Sequence, residues 1–223
     1  MTTTGRSVRA ERRAETRERI LVAAERLFAE QGISTVSNRQ VSEAAGQGNN
    51  FAVGYHFGDK TGLVRAIMRR HAEPTERLRE RYLAENGDVD DLRGWVTCLV
   101  RPMTEHLAAL GTPTWYARFT AQAQTSPALR SFMVEEALTQ PALRRISAGL
   151  DRCRPAAPEE VRRERADMIR HLIVHTCAER ERALAEGGPT RRASWEATAT
   201  GLIDALVGLW QAPVTHRRSG GDT

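Results

Sequence analysis

A cluster of amide side chains lies between two short stretches of helical sequence pattern. Gln47, Asn49 and Asn50 fall in the segment 46–62, at or just before the start of the second short helix. Asparagine and glutamine can form two hydrogen bonds to an adenine edge, and the first residues of a recognition helix enter the major groove of DNA. Asparagine and glycine are also the usual residues of turns. On these residues alone, a solvated loop explains the cluster equally well.

The excess of positive charge lies in the same part of the chain. The protein has 33 Lys and Arg against 28 Asp and Glu; residues 1–82 hold 15 basic and 10 acidic side chains, whereas residues 83–223 hold 18 of each. A small basic module joined to a larger neutral one is the distribution expected of a nucleic-acid reader with a partner domain. The alternative is a solvated basic tail, because only three glutamates separate the six arginines between positions 6 and 19.

Length and composition exclude several classes of protein. A chain of 223 residues predicts two domains. It has no apolar run of about 18 residues, and its first residues lack the apolar core of a signal peptide, so we expect a cytoplasmic protein with no membrane partner. Cys98, Cys153 and Cys177 are an odd number without CxxC spacing, which argues against a disulfide framework or a zinc cage.

Helical patterns surround the amide cluster. Ser37 lies three residues before Gln40, the spacing of a capping box, and Asp59 can cap the helix that begins at Lys60. That helix is compatible with a continuation through Leu83, either kinked or restarted at Pro74. The predicted helices here are 14–31, 38–45, 49–56 and 60–71.

The rest of the chain is also helical in pattern and shows no convincing β-alternation. Predicted helices cover 89–109, 112–124, 127–150, 158–186 and 193–210. The sequence therefore predicts an all-α fold. We expect a basic N-terminal tail at 1–13, a DNA-binding domain at 14–60, a helical effector-binding and dimerisation domain at 61–212 and a disordered tail at 213–223.

Several motifs resemble those of the tetracycline-repressor (TetR) family of bacterial regulators. They are Arg19-Ile20-Leu21, Ala24-Glu25-Arg26-Leu27-Phe28, Val41-Ser42-Glu43-Ala44-Ala45-Gly46 and Tyr55-His56-Phe57-Gly58-Asp59-Lys60. The resemblance covers about residues 15–72. It implies an N-terminal helix-turn-helix domain of three helices that binds DNA, followed by a C-terminal helical domain for ligand binding and dimerisation.

Carried over residue by residue, the resemblance assigns roles within the first domain. Ser37 and Arg39 would contact phosphate at the start of the second helix. Gln47, Asn49, Asn50, Phe51 and Ala52 would face bases, and Tyr55, His56 and Lys60 would hold the DNA backbone. Phe57, and alternatively Tyr55, could instead pack helix one against helix four. Gly54 stands where many members have an aromatic residue, so one of their phosphate contacts is missing here.

In the C-terminal domain, the resemblance implies an apolar cavity whose ligand changes the spacing of two DNA-reading heads in a dimer. The candidate lining consists of Trp95, Met103, His106, Trp115, Tyr116, Phe119, Phe132 and Met133, all of which could equally be core residues. The last two helices carry long apolar stripes that suit a four-helix dimer interface, although a monomer would bury the same stripes internally. The expected interface residues are Met168, Leu172, His175, Leu202, Ile203, Leu206 and Trp210.

No metal or other cofactor is expected. His171 and His175, with Asp167 and Glu179 on the same face, have a spacing that could bind a divalent metal. A partly charged stripe facing the second subunit explains these residues more simply.

The sequence thus predicts a dimeric repressor that binds a near-palindromic double-stranded operator and leaves it when a small hydrophobic effector binds. A transcriptional activator on the same fold is the alternative. An all-helical enzyme or carrier is a rival from another class, but the chain has no nucleophile elbow, no phosphate-binding glycine loop and no HExxH motif.

Overall fold

The computed structural model describes residues 3–48, 51–86 and 91–214, with side chains from position 8 onward. Within these ranges the chain forms helices and no strand, which confirms the expected all-α fold. None of the described helices combines the length and the apolar character needed to cross a bilayer. The helices are α1 (Thr3–Gln31), α2 (Asn38–Ala44), α3 (Ala52–Phe57), α4 (Lys60–Asn86), α5 (Leu92–Ala109), α6 (Tyr116–Ala123), α7 (Pro127–Leu138), α8 (Pro141–Cys153), α9 (Glu159–Ala185) and α10 (Trp195–Gln211).

The first three helices and the start of α4 form a small head with its own apolar core. Full burial of one such side chain contributes roughly 1.5–3 kcal/mol. This core therefore holds the short helices α2 and α3, which would not be stable alone. Its fully buried residues are Ile20, Ala24, Phe28, Val36, Val41, Val53, Leu63, Val64 and Ile67.

Local capping fixes where the short helices begin and end. The Ser37 hydroxyl accepts from the Gln40 backbone N–H at 3.2 Å, and the Gln40 side-chain oxygen accepts from the Ser37 N–H at 2.8 Å, which confirms the predicted capping box. After α2, Gly46 adopts φ +68°, a left-handed conformation that favours glycine and turns the chain toward α3. The Asp59 carboxylate accepts from the Gly62 N–H at 2.6 Å and so caps α4, as expected.

Helix α1 begins at Thr3, eleven residues before the predicted start at position 14. The prediction followed the apolar stripe that starts near Ile20. Between Val8 and Arg19, however, the chain contains mainly Arg, Glu and Ala, which favour helix without any apolar periodicity. The segment expected to be a tail is therefore helical from position 3 onward. In the C-terminal tail expected at 213–223, residues from 215 on lie outside the described part of the chain.

Helix α4 runs unbroken through Pro74 and connects the head to the C-terminal domain. The proline removes one backbone donor, but the helix is buried on both sides of it, at His71, Thr75 and Leu83. The Thr75 hydroxyl also donates to the His71 carbonyl at 2.7 Å. Burial on both sides of Pro74 thus keeps α4 as one helix, and the helix does not restart at the proline.

The single helix predicted at 127–150 is wrong: the structure has two helices, α7 and α8, on either side of a break. Pro141 disfavours helical backbone at the preceding residue, and Gln140 is indeed extended, with φ −82° and ψ 115°. Pro141 then opens α8 as its first residue.

Helix α6 lies between the head and the C-terminal domain. On one side the Phe119 ring stacks on Phe28 of α1, with a centroid distance of 6.3 Å. On the other side the buried Glu181 carboxylate of α9 accepts from the backbone N–H groups of Ala117 and Arg118, at 3.0 and 2.9 Å. Helix α10 packs along α5, which closes the C-terminal domain.

Candidate functional site

Two aromatic side chains of the head lie exposed one helical turn apart. Phe51, the N-cap residue of α3, is 80% exposed, and Tyr55 is 70% exposed. Residues four apart lie on the same face of a helix. Of the two roles considered for Tyr55, this exposure supports surface contact rather than packing, whereas Phe57 packs partly against the core as expected.

Arginines of α1 border this aromatic surface. The Arg13 guanidinium lies 5.4 Å from the centre of the Tyr55 ring, and the Arg17 guanidinium lies 5.0 Å from the centre of the Phe57 ring. Both arginines were assigned no role from the sequence. The predicted helix began at position 14 and so excluded Arg13. A longer α1 would have shown from the i, i+4 spacing that Arg13 and Arg17 share one helix face.

His56 lies beside the same two arginines, with its ring 4.9 Å from that of Tyr55. Burial lowers the pKa of His56, and the charges of Arg13 and Arg17 lower it further. The side chain is therefore uncharged near pH 7. It offers a hydrogen bond to DNA rather than a positive charge.

The start of α2 presents the two residues expected to contact phosphate. Ser37 is exposed and Arg39 is exposed, with the Arg39 Nε 2.7 Å from a Glu43 carboxylate oxygen. An exposed ion pair of this kind is worth about 1 kcal/mol or less, so Arg39 can exchange Glu43 for another anion.

Of the amide side chains Gln47, Asn49 and Asn50, only Gln47 lies within the described residues. Gln47 is half-buried, and its side-chain nitrogen donates to the Ala45 carbonyl at 3.2 Å. Asn49 and Asn50 lie outside the described part of the chain.

The structure places two other expected contact residues elsewhere. Ala52 is buried in the head core beside Val53 and does not face the surface on which Phe51 lies. The Lys60 ammonium donates to the backbone carbonyls of Ile33 and Ser34, at 3.0 and 3.3 Å. Lys60 thus fastens α4 to the connection between α1 and α2 instead of presenting a free cation to the DNA backbone.

A cavity of about 200 Å³, here called the α4–α7 cavity, opens in the C-terminal domain; it is lined mainly by α4, α6 and α7, with Met103 of α5, Leu143 of α8 and Val174 of α9. Three of the expected lining residues border this cavity, namely Met103, Tyr116 and Met133. Helix α4 supplies further lining that was not predicted, because helical periodicity alone does not show which face of α4 borders a cavity. These α4 residues are Met68, His71, Ala72, Thr75 and Arg79.

The other expected lining residues do not border this cavity; they are Trp95, His106, Trp115, Phe119 and Phe132. Trp95 packs against α8 so closely that a Cβ on Gly149 would come 2.2 Å from the indole. Phe119 is fully buried against Phe28, and the Phe132 ring lies under the Arg65 guanidinium at 4.5 Å. Trp115 is the N-cap residue of α6. Helix periodicity could not tell these packing faces from the cavity face.

A buried polar chain lies behind the cavity wall. His71 Nε2 is 2.9 Å from a Glu25 carboxylate oxygen of α1, and His71 Nδ1 is 2.8 Å from His106 Nε2 of α5. The Tyr116 ring stacks on His71 with a centroid distance of 3.7 Å. Burial lowers the pKa of His106 to about 4, with the charges of His71 and Arg70 acting in the same direction, and burial raises the pKa of Tyr116 to about 12. His106 and Tyr116 are therefore both uncharged at pH 7.

The outer face of α9 exposes part of the expected dimer surface. Met168 is 49% exposed and Leu172 is 40% exposed, and His175 is also exposed. Beside them a groove of about 380 Å³ separates α9 from α10, lined in part by Leu172, Gly201 and Ala205.

The four expected interface residues of α10 are buried within the chain: Leu202, Ile203, Leu206 and Trp210. They form the inner face of α10, which packs along α5. The opposite face of α10 carries small or polar side chains, among them Ala205 and Gly208. The sequence was compatible with two explanations of this apolar stripe, a subunit interface or an internal core. For α10 the structure supports the internal core.

Both the N-terminal and the C-terminal part of the chain match known protein families. Residues 20–67 match the family described as bacterial regulatory proteins, tetR family, and residues 97–208 match the tetracyclin repressor-like C-terminal domain. The HTH-type transcriptional repressor AcnR of Corynebacterium glutamicum is 40% identical over 78 residues, which are 35% of this chain. This alignment spans only 39% of that relative's length.

Two further comparisons extend over more of the chain. The AcnR repressor of Corynebacterium diphtheriae is 32% identical over 152 residues, covering 65% of this chain and 72% of that protein. The crystal structure of NalD, the secondary repressor of the MexAB-OprM multidrug efflux pump in Pseudomonas aeruginosa, superimposes with a TM-score of 0.53 at 23% identity; the match covers 87% of this chain and 96% of NalD. The NalD comparison establishes a common fold. With both of its domains matched in order and a relative aligned over most of its length, the chain belongs to the tetR family of bacterial regulatory proteins.

Proposed function

We propose that this protein is a dimeric, DNA-binding transcriptional repressor that acts in the bacterial cytoplasm and releases its operator when a small molecule occupies the α4–α7 cavity. The observation that carries the DNA-binding part is the surface of the head. Phe51 and Tyr55 are exposed on one face of α3, and Arg13 and Arg17 border that face. The description of the AcnR relatives as repressors favours repression over activation.

The roles within the head follow from side-chain chemistry. Arg13, Arg17 and Arg39 are exposed cations that suit phosphate oxygens, which fix the position of a protein on DNA without reading its sequence. We assign base reading to Gln47, Asn49, Asn50 and Phe51, since amides pair with adenine edges and apolar groups contact thymine methyls. Ser37, Tyr55 and His56 add neutral hydrogen-bonding groups to the backbone contacts.

Dimerisation follows from the small size of the reading surface. Helix α3 has only six residues, so one head makes few base contacts, and dimers of such heads bind two half-sites about one helical turn apart. We propose that Met168, Leu172 and His175 of α9 meet the small-residue face of α10 on the second subunit. The operator is then near-palindromic, because the protein dimer is two-fold symmetric.

The cavity has the composition of a small-molecule site. Its wall is largely apolar, with Met68, Met103 and Met133 supplying adaptable thioether contacts, and a few polar groups such as His71 and Tyr116 fix orientation. A ligand shifts the protein away from DNA only if it binds the non-DNA conformation more tightly. We therefore expect the effector to be small and hydrophobic, and to favour a different spacing of the two heads.

Selection of DNA duplexes from a random library by the purified protein tests this function directly. We expect enrichment of an inverted repeat, bound at moderate salt with an anisotropy-measured dissociation constant at least about 1,000-fold below that for random DNA. Enrichment of no sequence would reject the proposal. A reporter gene with the selected repeat in its promoter then separates repression from activation, since a repressor lowers its expression.

Single substitutions test which residues contact phosphate and which read bases. Arg39→Gln should weaken binding to all sequences and lessen its salt dependence, whereas Gln47→Ala should change the preferred bases at one position of each half-site. Arg163→Gln, an exposed arginine on α9, is the control and should change neither.

A further inference from the structure

A buried hydrogen bond connects the reading head to the wall of the cavity. Glu25 lies on α1, in the same helix as the head-core residues Ile20 and Phe28, and His71 lies on α4, where it lines the cavity. The His71 Nε2 and the Glu25 Oε2 are 2.9 Å apart, and both side chains are more than nine-tenths buried. A molecule in the cavity would therefore be separated from Glu25 of α1 by the side chain of His71.

The groups around His71 require a proton on its Nε2. The Glu25 carboxylate can only accept, so His71 Nε2 carries the hydrogen in the 2.9 Å contact between them. On the other side of the ring, His106 of α5 is neutral at pH 7 and lies 2.8 Å from His71 Nδ1. The Tyr116 ring of α6 covers one face of His71.

Among the described residues, the second cation at this carboxylate is Arg70 of α4, with its Nη1 3.4 Å from Glu25 Oε2. Arg70 also pairs with Glu18 at 2.5 Å. A shift of the His71 ring would therefore leave a buried carboxylate with one long contact. Leaving a buried charged acceptor short of a donor is strongly unfavourable. Movement of His71 thus cannot leave the packing of α1 on α4 unchanged.

We propose that His71 conveys occupancy of the cavity to the reading head through its hydrogen bond to Glu25, with His106 as the positioning residue that orients it. This proposal rests on the proposed function, in which the cavity is the effector site. A molecule that enters against His71 and Tyr116 displaces the His71 ring and breaks the bond to Glu25. Helix α1, which carries Arg13, Arg17 and the core of the head, is then free to reorient relative to α4.

A second physical route exists and must be distinguished from this one. Helix α6 also borders the cavity through Tyr116 and packs directly on α1 through Phe119 and Phe28. Pressure from a ligand could reach α1 through that apolar contact without any polar link. Removal of the Glu25 charge should abolish coupling only if the polar link carries it.

A double-mutant cycle provides the test, with a filled cavity in place of the unidentified effector. Ala137 of α7 lines the cavity, so Ala137→Phe serves as the probe, and Met133→Trp is a second filler if the first does not fold. Each filler is placed in the wild type, in Glu25→Gln and in Glu181→Gln. Glu181 is a matched control because it is an equally buried carboxylate that holds α6 and does not line the cavity.

The readouts are the dissociation constant for the selected operator and the hydrogen-exchange rates of α1 amides in the free protein. We expect the filler to weaken operator binding at least about 10-fold and to raise α1 exchange to a similar extent in the wild type and in Glu181→Gln. In Glu25→Gln the filler should change either quantity less than about 3-fold, because the link is already broken.

Three results would overturn the inference: an equal filler effect in all three backgrounds, no filler effect in the wild type, or loss of coupling in Glu181→Gln alone. If selection yields no operator, the proposed function fails, and the exchange rates of α1 still decide whether Glu25 and His71 carry the link. Circular dichroism and thermal melting establish that each variant is folded before it is scored.

Discussion

At the scale of single residues, the arginines of α1 change the expected composition of the DNA-binding surface. The exposed Arg13 and Arg17 lie over the aromatic rings of Tyr55 and Phe57, so α1 supplies charge where Lys60 was expected to. Aromatic rings hold guanidinium groups in place without neutralising them, which leaves the positive charge available to phosphate.

We predict that Arg13→Gln and Arg17→Gln each weaken binding to every DNA sequence by a similar factor. Each should also reduce the slope of log affinity against log salt by about 1, the value for one lost phosphate contact. Base preference should stay the same, because phosphates carry no sequence information. Titration of the selected operator and of a scrambled duplex at several salt concentrations measures both quantities. An unchanged slope would show that neither arginine contacts DNA.

His106 provides a prediction about pH. Its pKa is lowered from 6.5 to about 4 in the folded protein, mainly by burial, so the unfolded chain takes up a proton at a higher pH than the folded one. The stability that His106 contributes is complete above pH 6.5 and is lost as the pH falls toward 4. The loss amounts to about 3 kcal/mol, from 1.36 kcal/mol for each pH unit of the shift.

The corresponding measurement is the free energy of unfolding in urea between pH 7 and pH 4.5. His106→Gln keeps a hydrogen-bonding side chain next to His71 but cannot take up the proton, so its stability should depend less on pH than that of the wild type. Identical pH profiles for the wild type and His106→Gln would contradict the assignment.

At the scale of helices, Lys60 joins three elements of the head. Its ammonium donates to two carbonyls in the connection between α1 and α2, while its backbone opens α4. We predict that Lys60→Met lowers the free energy of unfolding by about 1.5–3 kcal/mol, the range for hydrogen bonds to a charged group. Operator binding should weaken as well, because α2 and α4 lose their fixed relation.

The control for Lys60 is Arg77→Met, an exposed residue of the same helix, which should change the unfolding free energy by less than about 0.5 kcal/mol. Urea denaturation separates the two possible roles of Lys60. A variant with wild-type stability but a weaker salt dependence of DNA binding would indicate a phosphate contact instead of a structural one.

The helix starts that were predicted correctly depend on interactions between residues close in sequence. The Ser37–Gln40 capping box and the Asp59 cap each span three residues, so the sequence alone specifies them. The break at Pro141 was equally local and was missed because the apolar pattern continues across it. The start of α1 was missed because Arg, Glu and Ala favour helix without forming an apolar stripe.

The faces that helices present to one another could not be predicted in the same way. Ala52 and Leu202 belong to apolar stretches that suit a surface contact or a core, and only the packing of the folded chain shows both of them buried. The bond between Glu25 and His71 joins residues 46 positions apart, on two helices whose relative orientation no local pattern specifies. Local sequence patterns thus predicted the helix caps of the head, but not the long-range contacts that connect the head to the cavity.

At the scale of the whole molecule, two long helices connect the proposed DNA-reading surface to the α4–α7 cavity. Helix α1 extends from Arg13 at the reading surface to Glu25 behind the cavity wall, and α4 extends from the head at Lys60 to His71 and Arg79 at the cavity. Packed helices move as units, so a small displacement of one end of either helix also displaces its other end. In the proposed dimer, such a change would alter the spacing between the two heads.

The proposed dimer interface can be tested at α9. Exposed apolar residues grouped on one helix face mark interaction surfaces, and Met168 and Leu172 lie one turn apart on α9 beside the α9–α10 groove. A charge placed there would be buried without a partner in the dimer, which is strongly unfavourable. We predict that Leu172→Glu raises the dimer dissociation constant at least about 100-fold, as measured by sedimentation equilibrium.

Operator binding should decline together with dimerisation, because a single six-residue reading helix cannot hold both half-sites. Leu110→Glu places the same charge at the C-cap of α5, at a residue of similar exposure (37%), and should leave both dimerisation and DNA binding unchanged. If Leu172→Glu remained dimeric, the subunit interface would lie on another face. If it became monomeric yet bound the full operator with unchanged affinity, the argument that one head is insufficient would be wrong.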